Sequence, residues 1–269
     1  MRKTKFWDGR ADHPFFAHLS ERIKDLGFLW NGLESGPETD VARWRLALFE
    51  GYELELSLMA DDARLPSGYF GFMPTLFVVS ERQARVWSEL RLWECFNLMP
   101  GNTVEPEPGP ARILAIGLRW LIRAWHEPRD TPWPVPGWSK VLSEEAAACA
   151  DELGRFLDRH LPRLVPLFEV PAALAHTMLN LETFPGKFDA NGPRSACRSI
   201  YTAILLHDAG GTGEAMKELD LEKREVAAKV QRGMEPQFLD ITHCQIARLT
   251  QWMNGGAPPN ASTPGKLSG

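Results

Sequence analysis

Between Val41 and Ala60 apolar and polar side chains alternate, and this stretch restricts the fold more than any other part of the chain. Trp44, Leu46 and Leu48 share one parity and Arg43, Arg45 and Ala47 the other; Tyr52, Leu54, Leu56 and Leu58 then alternate with Glu53, Glu55 and Ser57. A period of two is the strand period, and one apolar face with one polar face marks an antiparallel sheet that is wet on one side. A two-residue loop at Glu50-Gly51 would set Arg45 against Leu56, apolar against charged. A three-residue loop, Phe49-Glu50-Gly51 with Gly51 left-handed, pairs Leu46 with Leu54, Trp44 with Leu56 and Arg45 with Glu55. The second register keeps each face uniform and is the one expected.

Other elements arrange themselves around this hairpin. Phe15, Phe16, Leu19, Ile23 and Leu26 recur at helical spacing over 14–26, and Gly27 is placed to stop that helix. A third strand is expected over 68–79, with Pro74 making it an edge or broken strand. Ser80 and Gln83 form a capping-box pattern ahead of a stripe through Val86, Trp87, Leu90 and Trp93. Eight of the 21 prolines fall in 100–110 and 128–136, which read as irregular loops. Between them, charges at 112, 119 and 123 favour a helix over 112–126. Ser143, with Glu144 and Glu145 behind it, is expected to cap a helix striped by Leu142, Ala146, Ala150, Leu153, Leu157 and Leu161 and ended by Pro162 and Pro166. Further helices are expected over 171–181, 195–208, 213–231 and 236–253, and a disordered tail after Asn254.

The fold class that follows is α+β: an N-terminal antiparallel sheet with helices on one face, then a C-terminal helical region. The organisation expected is a sheet-containing region at 1–142, a helical region at 143–253 packed on it, and a tail at 254–269.

With 30 Lys and Arg against 35 Asp and Glu, the formal charge is −5, a poor balance for a protein that holds phosphate backbones, so nucleic acid is not an expected partner. The longest apolar runs, such as 113–118, are about a third of the roughly 18 residues a membrane span needs, so no membrane association is expected either. The basic start Met1-Arg2-Lys3-Thr4-Lys5 leads into Asp8, Arg10 and Asp12 rather than an apolar core, and a cytoplasmic protein is expected. Cys95, Cys149, Cys197 and Cys244 lie about fifty residues apart, which fits neither paired CxxC motifs nor a dense disulfide framework; free thiols are expected.

Reactive side chains are scattered. Gly210-Gly211-Thr212-Gly213 lacks the preceding strand and following Lys of a phosphate loop and reads as a turn between helices. There is no HExxH and no GxSxG, and Cys95 and Cys197 carry no nucleophile signature. No catalytic residue, metal site or cofactor is therefore expected. Two features remain as binding candidates. Arg43 and Arg45 face Glu53 and Glu55 across the hairpin, an arrangement suited to a polar ligand or to cross-strand ion pairs. Trp133 and Trp138 project from Thr131-Pro132-Trp133-Pro134-Val135-Pro136-Gly137-Trp138, a stiff loop that either offers aromatic area to a partner at little entropic cost or folds back to cap the joint between the strand-rich and helical halves.

Two resemblances add to this. The helix, Gly27-Phe28, the Arg-bearing hairpin around Trp44 and the helix ending in Leu161-Pro162-Arg163-Leu164 resemble bacterial immunity-like domains of unknown function over 14–180; that resemblance implies toxin blocking by binding and supplies no catalytic residues. Tyr201, Ala203, Leu205, Leu206, Gly210, Ala215 and Leu219 resemble one tetratricopeptide-type hairpin over 195–231, without a second copy at a 34-residue offset. The function expected is a non-enzymatic, immunity-like or adaptor protein that binds another protein through Trp133 and Trp138 or the face bearing Arg43, Arg45, Glu53 and Glu55. The alternative is an enzyme with a site between sheet and helices using some of His126, His160, His176 and His207.

Overall fold

A computed structural model describes residues 14–35, 40–60, 69–99, 101, 103–104, 109–118, 141–181 and 197–256. The strands are β1 (Leu29–Ser35), β2 (Asp40–Phe49), β3 (Tyr52–Ala60), β4 (Tyr69–Phe70), β5 (Phe72–Ser80), β6 (Ala111–Gly117) and β7 (Val141–Leu142). Five of them form one sheet in the order β1-β2-β3-β5-β6, and β4 pairs with β7. From Ala146 onward the described elements are helical, so the α+β class is observed. The chain divides into two compact units, Met1–Val79 with Arg112–Ala196, and Ser80–Ala111 with Cys197–Gly269. This differs from a linear division after residue 142, because one segment of each half of the chain belongs with the other. Trp120, Trp133, Trp138, His126 and the tail beyond Gly256 lie outside the described residues.

In the first unit, α1 (Pro14–Lys24) buries Phe15, Phe16, Leu19 and Ile23, the face its spacing predicts. Phe15 meets Phe70 and Phe72, and Phe16 meets Trp30 and Trp44, so the apolar sheet face is an aromatic layer under this helix. Gly27, at φ +89, ends the helix as expected: its N–H reaches the Lys24 carbonyl and that of Phe28 reaches the Ile23 carbonyl. A Cβ at Gly27 would stand 2.8 Å from the Leu46 side chain, a second reason for glycine here. The helix α3 (Ala146–Leu164) packs on α1 with Ala150, Leu153 and Leu157 buried; α4 (Pro171–Leu179) follows.

Trp44 has no exposed surface, and its indole N–H donates to Ser20 Oγ at 2.8 Å, tying sheet to helix. Replacing Ser20 by Ala is expected to cost about 1–3 kcal/mol, because a buried donor loses its acceptor while packing changes little. Urea unfolding measures this; an unchanged midpoint would show that the hydroxyl is dispensable.

The hairpin register is the expected one, with Trp44 opposite Leu56, Arg45 opposite Glu55 and Leu46 opposite Leu54. The turn is shorter than expected. Phe49 pairs with Tyr52, leaving Glu50-Gly51 at the tip, and the extra residue is taken up where the register shifts between Ala47 and Phe49. Gly51 is left-handed, at φ +75.

Several expectations are corrected. The third strand is internal, between β3 and β6, although Pro74 donates no ladder hydrogen bond; the break falls at Gly71, between β4 and β5, and Pro74 lies near the beginning of β5. Residues 111–117 are a strand rather than the start of a helix: Ile113, Leu114 and Ile116 are all buried, which satisfies a strand covered on both faces. The strand β1 is an edge strand without clean alternation, having a register shift between Trp30 and Gly32. Ser143–Glu145 forms a 3-10 turn ahead of α3, and Pro162 stands inside that helix, which ends two residues later.

The second unit contains α2 (Glu81–Glu89), a 3-10 segment (Leu92–Leu98), α5 (Arg198–Asp208), α6 (Thr212–Gln231) and α7 (Gln237–Met253). Val86, Leu90, Leu92, Ile204, Leu219 and Leu249 are among its buried residues. Ser80 Oγ accepts the Gln83 N–H at 3.0 Å, the expected N-cap, while the Gln83 amide donates to the Tyr201 carbonyl. The glycine cluster is a turn between α5 and α6, as expected, with the Gly211 N–H returning to the Leu206 carbonyl.

The expectation of four free thiols is corrected. Cys95 and Cys244 form a disulfide joining the 3-10 segment to α7. A pair 149 residues apart leaves no local trace in the sequence. Around it, Arg248 donates to the carbonyls of Leu90 and Arg91 at the end of α2 and pairs with Glu94.

Candidate functional site

On the sheet face opposite α1, a row of charge crosses the sheet. The β2 register directs Arg43 and Arg45 to this face, and β3 contributes Glu53 and Glu55. Arg45 Nε lies 3.2 Å from Glu55 Oε2 and its Nη1 3.0 Å from Glu53. Arg43 Nε approaches Glu55 Oε1 at 3.4 Å and its Nη1 pairs with Glu34 on β1. The third cation is Arg112 on β6. Its guanidinium lies 4.7 Å from the ring centroid of Phe77 on β5 and reaches Glu55 Oε1 at 3.4 Å. The β6 strand is two strands from β3, about 10 Å at ordinary strand spacing, so only a long side chain closes that gap.

The four sheet residues singled out in the sequence are therefore brought together, with one correction. This is not a fully exposed face: Glu55 is 2% exposed and the Arg43 and Arg45 side chains about a fifth exposed, against 36% for Glu53, 47% for Arg112 and 60% for Glu34. A buried carboxylate needs paired cations to offset its lost hydration, and three guanidiniums surround this one. Arg112 escapes sequence reasoning because its partner is 57 residues away and the charges at 112, 119 and 123 imitate a helical spacing. No spacing signal could have found it.

Among the described residues the histidines do not form a common group with these side chains. His160 is buried on α3 against Phe156, and His176 is exposed on α4. His207, in the second unit, contacts Thr212 Oγ1 at 2.9 Å and the Trp252 ring. Among the described residues no three or more His, Cys, Asp or Glu side chains are arranged to hold a metal ion. Burial, then Glu152 and Glu145, pushes the Cys149 thiol up to about 12; burial, then Glu222, pushes Cys197 up to about 11. Neither supplies a thiolate nucleophile near neutral pH. An open groove of about 430 Å³ between α6 and α7 is lined by Lys223, His243, Ile246, Ala247, Thr250 and Gln251.

Glu218 on α6 is buried, and burial together with Glu222 and Glu225 raises its pKa above the ordinary Glu value, while Ser199 and Arg198 oppose the shift. The fold thus favours the protonated acid. The resulting stability is present at acid pH and lost as pH rises through the carboxylate range to the raised value. Glu218→Gln is expected to raise Tm near pH 7 and to match the parent near pH 4, where both side chains are neutral. Paired melting curves at the two pH values test this, and an equal shift at both would refute it.

No family model, curated protein or solved structure matches this chain. No helix among the described residues is long and apolar enough to cross a membrane.

Proposed function

We propose that this chain is a non-enzymatic binding protein, immunity-like or adaptor in type, whose partner is another protein docking on the sheet face. The observation that carries the reading is the gathering of Arg43, Arg45 and Arg112 around Glu55 on a sheet. Arginine is a favoured interface anchor because its planar fork both stacks and donates several hydrogen bonds, and here β2 and β6 carry the three arginines on one sheet. Trp133 and Trp138 are a second proposed contact. The resemblance of 14–180 to immunity-like domains and of 195–231 to a tetratricopeptide-type hairpin points in the same direction. On compartment, the Cys95–Cys244 disulfide favours an oxidising environment over the cytoplasm that the sequence suggested.

The test is chemical crosslinking in native lysate followed by identification of the captured protein. One partner should be recovered reproducibly by the wild type, with about tenfold less recovered by Arg112→Gln and by Trp133→Ala with Trp138→Ala, each still folded by circular dichroism. Equal recovery by all three proteins would remove both surfaces from consideration.

A further inference from the structure

The polar groups of the sheet face are unevenly matched, and the mismatch has a chemical sign. Glu55 offers about four acceptor sites to three guanidiniums that carry about five N–H donors each. Both of its oxygens are engaged, Oε1 by Arg43 and Arg112 and Oε2 by Arg45. Arg43 Nε is buried and makes no hydrogen bond among the described residues, approaching Glu55 only as an ion pair. Arg112, about half exposed, has one polar contact among the described residues, at 3.4 Å, longer than an ordinary N–H···O bond. The other acids, Glu53 and Glu34, stand at the wet rim, where an ion pair contributes little and exchanges readily. The buried centre is thus short of acceptors, and the two carboxylates that relieve it, Glu53 and Glu34, are far more exposed than Glu55.

We infer that this face recognises a carboxylate-rich segment of the partner, whose acidic side chains engage Arg112 and displace Glu53 from Arg45, so that Glu53 acts as an internal competitor. Formal charge across the six ionised residues cancels, and the chain is −5 overall, so long-range attraction does not drive the contact. What selects the ligand is donor geometry at close range: a carboxylate fits the guanidinium fork in two parallel bonds. A basic segment would bring further donors and no acceptor to a face already short of acceptors. The inference rests on the sheet face being the docking surface and adds the chemistry of what docks.

Two substitutions with opposite expected signs test it. Fluorescein-labelled acetyl-hexaglutamate-amide is titrated with the intact protein at low salt and followed by anisotropy, with hexalysine and inorganic phosphate as the comparison arms. Glu53→Gln should tighten hexaglutamate binding about threefold or more, and Arg112→Gln should weaken it about tenfold, each folded by circular dichroism and melting temperature. Added salt should weaken binding in all forms. No hexaglutamate binding, no gain in Glu53→Gln, tighter binding of hexalysine, or phosphate binding as tightly as the peptide would each overturn the inference. If the peptide results fail while crosslinked partner recovery still depends on Arg112, the docking reading stands and only its acidic chemistry is wrong. If the peptide results hold while recovery ignores Arg112, the face binds carboxylates but is not where the partner docks.

Discussion

Cys244→Ser is expected to lower the unfolding free energy by about 2–5 kcal/mol, and treatment of the wild type with a reductant should do the same. The bond closes a loop spanning 149 residues, and in the chain-entropy picture freeing such a loop gives the unfolded chain about 5 kcal/mol. The loss should fall mainly on the second unit. That unit rests on a modest cluster of buried side chains around Leu90, Leu92, Ile204 and Leu249, and small cores lean heavily on covalent ties. The reduced protein keeps part of the same junction, because Arg248 still holds the Leu90 and Arg91 carbonyls and Gln245 approaches that of Leu92. Hydrogen exchange at α7 should therefore speed up on reduction, while the Trp44 region of the sheet keeps its protection. Denaturation with and without reductant supplies the measurement. Coincident curves would mean that the tie adds nothing to stability.

Glu55→Ala is expected to cost about 3–5 kcal/mol, because Arg43, Arg45 and Arg112 would be left crowded without their shared counter-charge. The residual solvent access of Arg43 and Arg45 places the value toward the lower end of that range. Glu53→Gln, at the rim, should change stability by no more than about 1 kcal/mol. A loss for Glu55→Ala as small as that for Glu53→Gln would show that the three arginines hydrate once the carboxylate is gone. The contrast also separates the two roles on this face: Glu55 organises the three arginines, and Glu53 is the replaceable partner of Arg45.

The sequence by itself determined the hairpin. Alternation over 41–60 permits one register that keeps charged and apolar faces apart, and Trp44 opposite Leu56 and Arg45 opposite Glu55 follow from it. It also determined the buried stripe of α1, its stop at Gly27, the Ser80 cap and the turn between α5 and α6, because each depends on residues within a few positions of one another. Only the tertiary structure decided that the Pro74 strand is internal, that 111–117 is a strand, that Cys95 meets Cys244, and that Arg112 joins Arg43 and Arg45 around a buried Glu55. The physical reason is common to all four. Periodicity and capping report interactions whose partners lie within one turn or one hairpin, whereas these contacts are made across strands or helices far apart in the chain, and the free energy that selects them is released only when those elements pack.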